Sequence, residues 1–111
     1  MVSDIIKNWD SGIVDVPSTT KENLIATLNG GESITIKSLA GATEFHFIGR
    51  RGIAQSSDGY KLAGGETMTF TLPITFGINN KIEIYAMATN AGDDITFFKL
   101  IDLFPFTGAS T

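Results

Sequence analysis

Residues 67–102, TMTFTLPITFGINNKIEIYAMATNAGDDITFFKLID, constrain the fold more than any other stretch. The run 67–72 alternates without a fault, with Met68, Phe70 and Leu72 on one side and Thr67, Thr69 and Thr71 on the other. A period of two places successive side chains on opposite faces of a strand and gives no helical stripe. Pro73 ends the run, because proline removes a ladder donor. Asn79-Asn80 marks a turn, and residues 81–88 (KIEIYAMA) alternate again. Ile82, Ile84, Ala86 and Ala88 share one face, and Glu83, Tyr85 and Met87 the other. Residues 90–93 form the next turn, and 94–102 (DITFFKLID) the last strand.

That last strand is apolar on both sides. Ile95, Phe97, Lys99 and Ile101 share one parity, and Phe98 and Leu100 the other. A strand with one solvated face should alternate apolar and polar. Either a bulge shifts its register, or another subunit covers its outer face.

Upstream, shorter strands follow one another. Residues 12–16 (GIVDV) are extended and end at Pro17, which marks an edge strand or a strand end. Residues 23–28 (NLIATL) read as a strand with Leu24, Ala26 and Leu28 in alternation. Asn29-Gly30-Gly31-Glu32 has hairpin chemistry, since glycine supplies positive φ. Residues 33–39 (SITIKSL) place Ile34 and Ile36 inward. Residues 44–49 (EFHFIG) put Phe45 and Phe47 on one face and His46 on the other, where it reads as a surface histidine. A long loop follows, with a short strand at 60–62. Seven to eight short strands separated by turn signals predict an all-β chain, a single antiparallel β-sandwich or jelly roll with extended termini.

The 111 residues suffice for one domain, divided as an N-terminal arm (1–11), a sandwich (12–102) and a C-terminal tail (103–111). In the arm, Ile5, Ile6 and Trp9 suit one helical turn, too short to stand alone. The arm is either a frayed end or a segment docked through Trp9 on a neighbouring subunit, as tryptophan is enriched at interfaces. Phe104 and Phe106 in the tail would form an apolar patch if exposed and call for a cover.

Composition excludes several kinds of chemistry. The chain has no cysteine, which removes disulfides and thiolate metal sites. Its net charge of −4 argues against a phosphate-backbone binder, so no nucleic-acid partner is expected. No apolar run approaches the roughly 20 residues that span a bilayer, and residues 1–9 lack a signal-peptide apolar core. His46 is the only histidine, and no G-x-S-x-G turn accompanies it, so no catalytic set is expected. Asp93-Asp94 is a turn pair before it is a calcium site. Neither Gly30-Gly31 nor Gly64-Gly65 precedes the Lys and Ser/Thr of a phosphate loop. No cofactor or metal is expected. Arg50-Arg51 is the only basic doublet, either a solvated strand end or a fork for a partner's carboxylate.

One combination of motifs resembles a known group. It runs from Val16-Pro17 through SITIKSL and EFHFIG to a loop with Gly59, Leu62 and Gly64-Gly65-Glu66. A strand closed by Pro73 and then IEIYAMATNAGDDITFFKL complete it. The pattern is similar to small β-sandwich virion proteins of tailed bacteriophages and related viruses, over about residues 12–102. Arg50-Arg51-Gly52 departs from the more neutral segment of that group. The resemblance implies a non-enzymatic head decoration (cement) or head-fibre protein, made in the host cytoplasm and carried on the capsid surface. Its implied partners are further copies of itself, as a homotrimer, and the major capsid protein. Trp9, Arg50, Arg51, Phe98, Leu100, Phe104 and Phe106 are then the interface candidates. Two other readings stay open: a carbohydrate- or receptor-binding fibre module using Trp9 or Tyr85 as a platform, and an enzyme with His46 beside a nucleophile.

Overall fold

The computed structural model describes residues 9–53 and 58–101, with Trp9 and Ile101 described for their backbone alone. Eight strands occupy them: β1 (Trp9–Val16), β2 (Asn23–Asn29), β3 (Glu32–Ser38), β4 (Phe45–Gly49), β5 (Tyr60–Ala63), β6 (Thr67–Thr71), β7 (Lys81–Ala88) and β8 (Asp93–Ile101). A single 3₁₀ turn at Ile74–Phe76 is the only helical element among the described residues.

The strands form two four-stranded antiparallel sheets, β1-β8-β3-β6 and β2-β7-β4-β5, here called sheets A and B. The pairs β1·β8, β2·β7, β3·β6 and β4·β5 are nested, so the chain is one long antiparallel ribbon with its tip between β4 and β5. Every other connection crosses from one sheet to the other. Wound in this way, the ribbon is a jelly roll.

The inward parity of each strand builds the core. Val16, Ile34, Ile36 and Ile95 from sheet A meet Ile25, Leu28, Ile48, Leu62, Ile84, Ala86 and Ala88 from sheet B. Each fully buried aliphatic side chain contributes about 1.5–3 kcal/mol. β3, β6, β7 and β8 carry the alternation read from the sequence. β1 is an edge strand, as Pro17 predicts, but it starts at Trp9, so residues 9–11 belong to sheet A and not to an arm.

Three expectations are corrected. The turn at residues 29–32 does not close a hairpin, because β2 and β3 lie in different sheets. Its N–H groups serve the neighbouring connection instead: Gly30 donates to Gly77 O at 3.1 Å and Gly31 to Leu72 O at 2.7 Å. In β2 a bulge between Leu24 and Ala26 breaks the alternation. It turns Ile25 into the core and leaves Leu24 exposed.

The third correction is His46, which is fully buried rather than on the surface. It stands in register between Leu62 and Ala88, both core residues. The phenylalanines flanking it face outward, yet Phe47 is buried too. The segment after β4 folds back over the outer face of sheet B and makes a second small cluster of Ile53, Tyr85 and Met87. A side chain at Gly59 would come within 2.6 Å of Phe47 Cβ, so glycine permits this close return. Lys61 sits 4.0 Å from the Phe45 ring centroid. With both faces of β4 covered, hydrophobicity could not indicate which face was the interior.

Candidate interaction face and cleft

The outer face of sheet A reads across its strands in rows. Trp9 lies opposite Leu100, which lies opposite Ser33, then Thr71. The next row is Ser11, Phe98, Thr35 and Thr69, followed by Ile13, Thr96, Lys37 and Thr67. Thr35 and Thr69 hydroxyls bond at 3.0 Å. Most of this surface is short, uncharged and polar. Against it stand Phe98 (46% exposed), Leu100 (43%) and Ile13 (68%). β8 pairs without a register break on both sides, so no bulge accounts for its second apolar parity. Phe98 and Leu100 point to the outside, and the fold brings Ile13 onto the same face, diagonally across from Phe98. Ile13 was missed in the sequence because GIVDV alone does not say which parity is inward.

Lys99, of the opposite parity, is turned inside. Its ammonium meets Glu32 Oε1 at 3.1 Å and donates to Thr27 O at 3.0 Å. Glu32 also accepts from the Asn29 N–H at 2.8 Å. This nearly buried pair closes the end of the sandwich near the 29–32 turn.

The two arginines lie elsewhere, at the end of β4, and part company. Arg51 stacks over the Tyr85 ring, 5.2 Å from its centroid, and pairs with Glu83 at 3.5 Å. Tyr85 donates to the same carboxylate oxygen at 3.1 Å. Only 6% of Tyr85 is exposed, so it offers no stacking platform to a sugar. Burial pushes its phenol ionisation up, and the bond to Glu83 adds to this. Beside it, the Gly52 N–H donates to Glu22 Oε2 at 3.1 Å. The Glu22 backbone amide first, and then that of Gly52, hold this carboxyl below its usual range. Arg50 instead donates to the Arg51 carbonyl at 3.0 Å.

Arg50 stands at the rim of a cavity of about 660 Å³ between the sheets. Ile48, Ile82, Ile84, Met68 and Phe70 line it, with Tyr60 at the side and Glu83 at the rim. The cavity exists because β4 stops opposite Tyr85, while β7 runs on to Lys81 paired with β2 alone. Nothing in the local sequence announces it, since its walls come from four strands of both sheets.

The Ser-His arrangement left open above is present as a contact. Ser38 Oγ and His46 Nδ1 lie 2.7 Å apart, and His46 Nε2 is 3.1 Å from the Asp93 backbone carbonyl. Both side chains are fully buried, and neither lines the cavity. Asp93 contributes its carbonyl here, and its carboxylate takes the Asn90 amide at 3.1 Å, as turn aspartates do. Among the described residues no three His, Asp or Glu side chains gather as a metal site needs. Among them, too, no helix is long and apolar enough to cross a membrane. Phe104 and Phe106 lie outside the described residues, as does the Trp9 side chain.

The sheet topology thus defines an antiparallel jelly roll with a partly apolar outer face on sheet A and a cleft between the sheets. No family model and no curated protein matches the chain. Among solved structures it is similar to a de novo designed double-stranded β-helix determined by solution NMR. That likeness has a TM-score of 0.48 at 13% identity and covers 83% of this chain and 95% of the other.

Proposed function

We propose that this protein is a non-enzymatic structural component of a virion. It acts as a capsid decoration protein whose sheet A outer face docks on further copies of the chain and on the major capsid protein. The observation that carries the reading is the cluster of Ile13, Phe98 and Leu100 on an otherwise serine- and threonine-rich outer face. Exposed apolar groups on adjacent strands are costly in isolation and mark contact surfaces. Short hydroxyl side chains around them leave the face flat and free of strong desolvation cost, as a protein interface requires.

The test is native mass by light scattering across concentration, followed by co-sedimentation with empty phage heads. The protein should form a trimer and pellet with heads. Ile13→Lys and Leu100→Lys, both outward-facing, should lower the mass and abolish pelleting while the far-UV spectrum stays unchanged. A strict monomer that fails to pellet, or lysine variants that assemble and pellet like the parent, would overturn the reading.

A further inference from the structure

We infer that the cleft between the sheets is a binding site for a small amphiphilic anion, an acyl carboxylate of medium chain length. Its volume of about 660 Å³ lies within the range of small-molecule sites. Its wall is apolar, from Ile48, Met68, Phe70, Ile82 and Ile84, and so suits a hydrocarbon body. An apolar wall alone would not choose a head group; the charges at the rim do.

Two charged residues line the cleft, Glu83 and Arg50. Glu83 is already engaged, by the Arg51 guanidinium at 3.5 Å and the Tyr85 hydroxyl at 3.1 Å. Arg50 makes one bond to a backbone carbonyl, and no ion pair to it is found among the described residues. Arg50 is exposed as well as lining the cleft, and its guanidinium has the fork geometry that matches a carboxylate. The rim therefore presents a cation, and the complementary head group is an anion. Ile13, Phe98 and Leu100 do not line the cleft, so it stands or falls independently of the assembly reading.

The experiment uses full-length protein labelled with ¹³C at the methionine methyls, titrated with octanoate and separately with 1-octanol. Met68 lies in the cleft, whereas Met87 is buried on the far face of sheet B and serves as the internal reference. Met68→Leu assigns the cleft signal. Both ligands should shift Met68 saturably and leave Met87 in place, with octanoate bound roughly tenfold tighter through its charge-assisted bond. Arg50→Gln should erase that preference and leave octanol binding unchanged. Phe70→Ser, at a partly exposed position, should weaken both ligands. The inference is overturned if Met68 does not respond, if both methyls drift together without saturation, or if the preference for octanoate survives Arg50→Gln.

Discussion

Ser38 of β3 and His46 of β4, both fully buried, join the two sheets through a 2.7 Å hydrogen bond. For a neutral ring, the bond at Nε2 sets the direction of this one. The Asp93 carbonyl can only accept, so His46 Nε2 carries a proton and donates to it. In the neutral ring Nδ1 is then an acceptor, and Ser38 donates to it while its oxygen accepts from the Ala40 N–H at 3.2 Å. The histidine is satisfied at both nitrogens without solvent.

Removing one partner should therefore cost more than removing both. Ser38→Ala leaves a buried imidazole nitrogen without its donor and should lower stability by about 1–3 kcal/mol. The double variant Ser38→Ala/His46→Leu should recover part of that loss, because the buried imidazole nitrogen is no longer there to be left without a donor. Urea unfolding of the two variants and the parent checks this. A double variant no more stable than Ser38→Ala would contradict it.

The Lys99–Glu32 pair predicts a similar asymmetry with charges. Lys99→Met leaves Glu32 nearly buried without its cation and should cost about 3 kcal/mol. Adding Glu32→Gln should return much of it, since the amide is neutral. Chemical denaturation at neutral pH, arranged as a double-mutant cycle, measures the coupling.

A methyl group at Gly30 would run into the Gly77 backbone, with the Gly77 carbonyl carbon 2.7 Å away. Backbone cannot yield as a side-chain tip can. Gly30→Ala should lower stability by about 1–3 kcal/mol, the usual cost of overpacking. At Gly41 the nearest atom stands 3.8 Å away, so Gly41→Ala should change stability by less than about 0.5 kcal/mol. Thermal unfolding of the pair distinguishes the two sites.

Tyr85 should ionise above the ordinary tyrosine value of 10.0, because burial disfavours the phenolate. Its folded pKa is thus raised over the unfolded one. The stability linked to it is fully present below about pH 10 and is lost as pH rises through the folded value. Tyr60→Phe removes the chain's other tyrosine, so absorbance near 295 nm then reports Tyr85 alone. An Arg51→Gln change in the same background should move the titration further up, since that guanidinium opposes the shift.

Much of the fold was legible along the chain. Thr67, Thr69 and Thr71 announced the outer parity of β6, Ile34 and Ile36 the inner parity of β3, and Pro17 the end of an edge strand. Phe98 and Leu100 were legible as a second apolar face needing an explanation. His46 faces the core and not the surface, and Leu24 leaves the alternation it shares with Ala26 and Leu28. The chain at Gly59 lies close against Phe47, and a bulge at Ile25 resets β2. Neither effect leaves a mark in the local pattern.

The sequence by itself determined the all-β class, the position of nearly every strand and the inward parity of most. Strand geometry, turn chemistry and proline punctuation act over a few residues and can be read from them. Only the tertiary structure decided which strands pair, that Ile13 shares the outer face of sheet A with Phe98 and Leu100, that Ser38 reaches His46, and that a cleft opens where β4 ends before β7. Each of these joins residues far apart in the chain. Such contacts are fixed by how the nested ribbon winds into two sheets, which no single stretch of side chains specifies.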